Sequence, residues 1–313
     1  MTDNGARNLK LISDYKNIEK YRASFNNLAG EVFGIDFEPW YKAGFWNERY
    51  VCYSYAAGDT VVSNVSINKM DLVICGEAKK AIQIGTVMTH AAYRKKGLSK
   101  ELMNIVVGEY ASKCDLIYLF ANESAYGFYP GFGFDEFSET SFSVSGPDFY
   151  TPGSSGGGSP ADKNGPALRK LDIDNEKDLE TLKRLAFKRV PVSNKLGVMN
   201  DSHLIMFYCI KYYKDSIYYI DSLDAVVIYK IEEGSLYLYD ILTESGAGIN
   251  EIMPAIMDAA NKTAAEKIVF MFTPDRSGIE ISGHKEEKDY KLFVRPSCFK
   301  NSDELVFPRL SHA

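Results

Sequence analysis

The sequence predicts an α+β protein: a mixed, largely antiparallel sheet with flanking helices, built twice in tandem. Three observations predict it. Strand-like runs, an amphipathic helix and a short apolar strand follow one another in the first half of the 313-residue chain. The same order of patterns recurs in the second half, with low identity but similar spacing. Between the two lies the one low-complexity stretch, dominated by Gly, Ser, Pro and Asp from Gly146 to Pro166. Such a composition buries too little apolar surface to order itself, so it reads as a linker or a long hairpin tip. The expected division is 1–147 for the first domain, 148–168 for the linker and 169–313 for the second domain.

In the first half, "NIEKYRASFNNLAGEVFG" carries apolar residues at helical spacing and stops on Gly34. "YVCYSYAAGDTVVSNVSINKMDLVICGEAKKAIQIGTVMT" reads as three strands, with turns at Gly58-Asp59 and Gly76-Glu77. "KGLSKELMNIVVGEYASK" is an amphipathic helix with Leu98, Leu102, Ile105, Val106 and Tyr110 on one face. "CDLIYLFAN" is a short strand of the fully buried kind. "SAYGFYPGFGF" reads as a helical turn broken at Pro130, and "FDEFSETSFSV" as one alternating strand. In the second half the helices fall on "DNEKDLETLKRLAFKR", "SHLIMFYCIKYYK" and "INEIMPAIMDAANKTAAE". The strands fall on "IYYIDSLDAVVIYKIEEGSLYLYDILT" and "KIVFMFT". Strands and helices so interleaved make layers around a mixed sheet.

Composition bounds the function. Hydrophobic content of 45% with 25% charged residues is globular. A net charge of -6 argues against a general nucleic-acid or anionic-membrane binder. Five cysteines, odd in number and never closely spaced, exclude a disulfide framework and a zinc-type spacing. Cys52, Cys114 and Cys209 lie among apolar residues and read as small buried hydrophobes. The four histidines are scattered, so no metal is expected. The N-terminal "MTDNGARNLK" is not an apolar signal, and no run reaches about 18 apolar residues. The expectation is a cytoplasmic protein in a reducing compartment; a homo-oligomer is compatible with it.

The chemistry concentrates in "YRKKGLSKELM", which opens the helix after the third strand. Backbone N–H groups in a first helical turn are unpaired, and the helix dipole adds about half a positive charge there. Gly97 lets a ligand approach the main chain, and Ser99 is small. Arg94, Lys95 and Lys96, with Lys100 one turn on, suit a polyanion such as a pyrophosphate. A solvated basic helix start would look the same in isolation.

The context separates these readings. "VMTHAAYRKKGLS" resembles the acyl-CoA signature of the GNAT superfamily of N-acetyltransferases, an apolar strand end followed by R/Q-x-x-G-x-G/A. Ser99 stands where a small apolar residue is usual, and Ala91 where proline is frequent. "NESAYGFYPGFGF" resembles a second GNAT signature, N-x-x-A-x-x-F/L-Y-x-x-x-G-F, in which Asn122, Ala125, Phe128, Tyr129, Gly133 and Phe134 fall in place. The resemblance implies that Arg94, Lys95, Lys96, Gly97, Leu98, Ser99 and Lys100 surround the CoA pyrophosphate. It implies that Val87, Met88 and Thr89 pair with the pantetheine arm, that Asn122 bonds the same arm, and that Tyr129 is the general acid. The implied cosubstrate is acetyl-CoA, and the partner a primary amine on a small molecule or peptide. An acyl-CoA sensor without turnover is the alternative.

The second half does not repeat the signature. Glu244 stands where a cation is wanted, and Pro274 takes the place of Asn122. The chain is therefore expected to hold two GNAT-like folds, the second degenerate. That arrangement resembles the enhanced-intracellular-survival type of bacterial acetyltransferase, without its sterol-carrier-like domain. The same resemblance makes the carboxylate of Ala313 a candidate base, against the alternative of a tail docked for packing. Glu31, Asp36, Glu38 and Glu48 either attract a cationic amine or form a solvated face. Trp40, Phe45 and Trp46 either line a pocket or pack.

Overall fold

Helix α1 (Glu19–Phe33) turns its Tyr21, Phe25, Leu28 and Ala29 inward, the i, i+4, i+7, i+8 stripe of a half-buried helix. It ends where Gly34, at φ 67°, returns its N–H to Gly30 O at 3.0 Å. In the computed structural model, which describes residues 9–145, 167–275, 280–285, 289–300 and 302–312, this helix follows strand β1 (Leu9–Ser13) and precedes the short α2 (Glu38–Lys42). The meander is β2 (Tyr50–Ala57), β3 (Thr60–Ile74) and β4 (Glu77–Thr89). Its turns are Gly58-Asp59 and Cys75-Gly76, the latter with φ of 51° and 81°. Helix α3 (Leu98–Tyr110) buries Leu98, Leu102, Met103, Val106 and Val107. Strand β5 (Leu116–Asn122) leads into two 3₁₀ turns, Glu123–Ala125 and Tyr129–Phe132.

The second unit repeats this order: β8 (Leu168–Lys170), α4 (Glu176–Lys188), β9 (Leu196–Met199), α5 (Ser202–Lys211), β10 (Ile217–Ile220), β11 (Ala225–Glu232), β12 (Ser235–Thr243), α6 (Ile249–Lys262), β13 (Lys267–Phe270), β14 (Ser282–Lys285) and β15 (Tyr290–Arg295). Only β9 has no counterpart in the first unit. Helix α4 is capped by Asn175, whose side chain accepts from Lys177 N at 3.0 Å and Asp178 N at 3.3 Å. Most of the expected linker lies outside the described residues; Leu168, its last residue, already begins β8.

"FDEFSETSFSV" is two strands, β6 (Asp135–Phe137) and β7 (Thr140–Ser145), and they belong to different sheets. The first sheet runs β1-β2-β3-β4-β5-β15-β6, with β9 added to β3; the second runs β14-β7-β13-β12-β11-β10-β8. Each unit thus sends its last strand between the fifth and sixth strands of the other. Strand β15 pairs with β5 from Tyr290↔Asn122 to Arg295↔Ile117. Strand β7 pairs with β13 from Ser145↔Lys267 to Phe142↔Phe270. The crossing point is held by Glu139, only 5% exposed, whose carboxylate accepts the Phe307 N–H at 2.8 Å. The division of the chain at its low-complexity stretch therefore does not divide the sheets.

The second unit also holds a buried ion group. Arg189 meets Asp201 through two nitrogens at 3.0 and 2.9 Å and Asp240 at 2.6 Å, all three essentially without exposure. Burial holds the Asp240 carboxyl up at about 6, against the pull of Arg189. Removing one member of such a group costs about 3–5 kcal/mol, because the remaining charge stays buried.

The exchanged strands generate the first prediction. Residues 1–147 and 169–313 produced separately should each fail to give a cooperative unfolding transition. Produced together, they should recover a stable 1:1 complex by size exclusion and circular dichroism. A well-folded, monomeric 1–147 fragment would contradict the exchange.

Candidate functional site

The site begins where β4 and β5 part. Their parallel pairing runs for four residue pairs, Ala81↔Leu116 to Ile84↔Leu119, and then ends although both strands continue. The cause is in β4 itself. Thr86 has φ 49°, and the register with β3 shifts between Asn64 and Ser66, so β4 bulges away. The strained turn is held on both sides. Asn64 Nδ2 donates to Thr86 O at 2.8 Å, and the Tyr50 hydroxyl lies 2.8 Å from Thr86 Oγ1. From Gly85 onward, the edge of β4 that faced β5 is free to pair with an extended ligand. On the other edge, Met88 and Thr89 still pair with Asn64 and Ser63. Val87 lines the opening, while the Met88 side chain is buried in the core. The bulge was not legible from hydrophobic pattern; the "GT" of "IGTV" is its only local trace.

At the far end of β4 the chain turns through Ala91–Tyr93 into α3. Gly97 is the N-cap, at φ 83°, with no heavy atom within 4 Å of where a Cβ would stand. The first-turn N–H groups are thus open to a ligand, as the glycine suggested. Thr89, Arg94, Lys95, Gly97, Leu98, Ser99 and Lys100 line a shallow depression of about 260 Å³ together with Phe128. Thr89 Oγ1 links Ser99 Oγ at 2.7 Å and Ser63 Oγ at 2.8 Å, tying strand end to helix start. Arg94 Nε donates to Thr89 O at 3.2 Å. Lys96 is the exception: it does not line the depression, and its Nζ sits 5.2 Å over the Tyr93 ring.

A larger cavity of about 520 Å³ continues from the parted strands. Val87, Asn122 and Tyr129 all line it. Asn122 ends β5 and accepts from Ser124 Oγ at 2.8 Å. Tyr129 opens the second 3₁₀ turn, 5% exposed, its ring 5.2 Å from Phe128 and 5.7 Å from Phe293 of the exchanged strand. Burial pushes its phenol up to about 12. The hydroxyl therefore stays protonated throughout the physiological range.

Another part of the lining comes from the second unit and the end of the chain. Phe207, Tyr208 and Tyr213 stand there beside Lys230, Arg309 and His312. The His312 ring stacks on Phe120 at 3.6 Å, and Tyr208 donates to His312 O at 3.1 Å. Ser311 Oγ donates to Asp201 at 2.6 Å, anchoring this segment to the buried ion group. Ala313 lies outside the described residues. Trp40 lines the cavity, whereas Phe45 and Trp46 pack in the core. None of Glu31, Asp36, Glu38 and Glu48 lines it. Asp36 accepts from Asn26 and Glu38 N, Glu38 meets Arg22 at 3.2 Å, and Glu48 borders a separate depression. Of the two readings of these acids, attraction of a cationic amine or a solvated face, only the second leaves them outside this cavity.

In the second unit the equivalent opening is closed. Pairing of β12 with β13 stops at Leu238↔Phe270, and Arg309 N donates to Met271 O just beyond, with Leu310 wholly buried. The N-terminus of α6 is occupied by its own Glu251, which accepts from Gly248 N at 2.8 Å. Glu244 pairs with Lys188 at 3.2 Å. Acids stand where a phosphate would need donors.

Residues 16–137 match the family model described as an acetyltransferase (GNAT) domain. This part of the chain is similar to the GNAT acetyltransferases, a family that transfers acyl groups from acyl-CoA. Solved structures carry the fold likeness across nearly all of it. A conserved protein from Enterococcus faecalis matches with TM-score 0.59 and 15% identity, covering 92% of this chain and 72% of its own. Eis1 from Mycobacterium abscessus matches with TM-score 0.57 and 12% identity over 91% and 72%. A GCN5-related N-acetyltransferase from Kribbella flavida matches with TM-score 0.55 and 16% identity over 92% and 71%. These likenesses show the two-sheet fold. No curated protein sequence matches the chain. Among the described residues no helix is long and apolar enough to cross a membrane.

His203, on α5 behind this cavity, supplies a test of the packing. Its Nε2 lies 2.9 Å from Asn68 Oδ1, its carbonyl accepts Trp40 Nε1 at 2.7 Å, and burial lowers its imidazole to about 4. The folded state keeps it neutral while the unfolded chain takes up a proton below about 6.5. Its contribution is complete above about pH 6.5 and is lost as pH falls toward 4, by at most about 3 kcal/mol. Asp240, raised toward 6, acts oppositely in that window. The stability difference between the native chain and His203→Gln should therefore shrink as pH drops from 6.5 to 4, measured by urea unfolding. A pH-independent difference would contradict the buried neutral imidazole.

Proposed function

We propose that the chain is an acetyl-CoA-dependent N-acetyltransferase, moving an acetyl group to a primary amine by direct attack. Residues 1–147 carry the cosubstrate, and 169–313 form a second GNAT-like unit that does not bind it. The observation that supports this most directly is the continuity of one path. The free edge of β4 from Gly85 runs into Thr89, and Thr89 is bonded to the helix start that Gly97 leaves open. An extended thiol arm pairs with the first, and a pyrophosphate meets the second.

In the reaction the amine nitrogen attacks the thioester carbon. A C–N bond forms, the C–S bond breaks, and its electron pair leaves with sulfur. The nitrogen loses its proton to water. The phenol of Tyr129 gives the sulfur a proton, and its raised pKa keeps that proton available at neutral pH. Asn122, beside it at the end of β5, bonds the arm.

Two measurements test this reading. Calorimetric titration with CoA should give one site per chain. Gly97→Glu should abolish that binding: it sets bulk and negative charge where the phosphates approach, at a φ that favours glycine. The variant's melting curve should stay cooperative. Two sites per chain, or binding within a few-fold of the native chain, would remove the loop from the cosubstrate site.

Tyr129→Phe keeps the ring among Phe128, Phe134 and Phe293 and deletes only the hydroxyl. Loss of a general acid should lower kcat by at least about tenfold, with acetyl-CoA affinity nearly unchanged. A variant with normal kcat would assign Tyr129 to packing alone.

A further inference from the structure

The part of the cavity lining contributed by the second unit has a charge pattern the proposed reaction does not explain. No aspartate or glutamate lines the cavity among the described residues, yet Lys230 and Arg309 both do. Elsewhere on this acidic chain several cations pair with carboxylates, as Lys188 does with Glu244 and Arg22 with Glu38, although Lys96 also stands over a ring. Here they face rings. Lys230 Nζ stands 4.6 Å over Tyr213, and the Arg309 guanidinium 4.7 Å over Tyr290, with its Nη1 3.2 Å from His312 Nδ1. Among the described residues neither is in a salt bridge. Half-buried cations without carboxylates are costly in an aromatic wall, and they repel a polycationic ligand. Their five or more donors suit an anion.

The rest of the lining is apolar and broad. Phe37, Trp40, Phe207 and Tyr208 line the same cavity with flat surfaces. A ligand that fills this space presents an anion to the cations, rings or aliphatic carbon to these surfaces, and its amine toward Val87, Asn122 and Tyr129.

We propose that Lys230 and Arg309 form an anion subsite of the acceptor pocket. The acceptor is a primary amine that carries a carboxylate or phosphate on an apolar body of aromatic size. This rests on the acetyl-transfer reading and deepens it: the second unit, itself without cosubstrate, sets acceptor specificity for the first.

The test uses the full chain with acetyl-CoA and four amines: tyrosine, tyramine phosphate, tyramine and spermidine. Thiol release measures turnover, and calorimetry on the CoA-loaded protein measures acceptor binding. Tyrosine or tyramine phosphate should exceed tyramine in kcat/KM by at least about tenfold, with spermidine poorest, since a charge-assisted bond is worth that much or more. Which anion leads distinguishes carboxylate from phosphate. Lys230→Met and Arg309→Met should each cut the anionic-to-neutral ratio by about tenfold, with CoA titration and melting curve unchanged. Tyramine or spermidine as the best acceptor, or variants that leave the ratio intact, would overturn the subsite while acetyl transfer stands. If no amine releases thiol, transfer fails instead. Binding of the anionic amines, stronger than tyramine and lost in both variants, would then still uphold the subsite; its absence would overturn it.

Discussion

The reciprocal exchange of final strands is the constraint on which the rest of this molecule depends. Because β15 inserts beside β5, the strand that forms one side of the opening is braced by the second unit over six residue pairs. Because β7 inserts beside β13, neither sheet is complete in one half of the chain. A strand in the middle of a sheet satisfies hydrogen bonds on both edges, so withdrawing either one would strand N–H and C=O groups in two neighbours. The two units therefore act as one body around the cavity. Their long-range pairing also places the chain end, after β15, back at the mouth of the first unit's opening.

Two polar groupings then fix what the exchange brings near. On the first unit, Asn64 and Tyr50 hold the Thr86 bulge, and the bulge keeps β4 from following β5. Without it the parallel ladder would continue and close the opening. Within the second unit, Arg189 with Asp201 and Asp240 lies fully buried, and Asp201 also receives Ser311. This group positions the segment carrying Arg309 and His312 against Phe120. Buried ions add little net stability against a hydrophobic replacement. Their value here is registry, because Arg189 accepts only an arrangement in which α4, α5 and β12 meet at one point.

The division of labour follows from how the same topology ends in each unit. Where β4 and β5 part, a glycine leaves the next helix open and cations line the approach. Where β12 and β13 part, the chain's own Arg309–Ser311 turn fills the space, and Glu251 caps the next helix. The opening between the strands is thus kept in the first unit and filled in the second. The residues of the second unit become a wall, and an aromatic, cationic one.

How much of this was legible in the sequence depends on the range of the interaction involved. Helices α1 and α3, the glycine that opens α3, the order of elements and the Asn122–Tyr129 turn follow from residues within about four positions of one another, where period and cap geometry decide. The recurrence of that order also announced two units. Contacts between distant residues decided the rest. The alternation of "FDEFSETSFSV" is continuous, so nothing local divides β6 from β7; their partners, Leu292–Val294 and Lys267–Phe270, lie far along the chain. Glu31, Asp36, Glu38 and Glu48 could attract a cationic acceptor or form a solvated face; the structure sets them against His90, Asn26, Arg22 and another depression. Lys230 and Arg309 carried no signal, each being one cation among 36. By itself the sequence determined which backbone could receive a phosphate, because that depends on one glycine and one helix start. Only the tertiary structure decided which side chains line the larger cavity, because they come from both units and meet only after the strands have crossed.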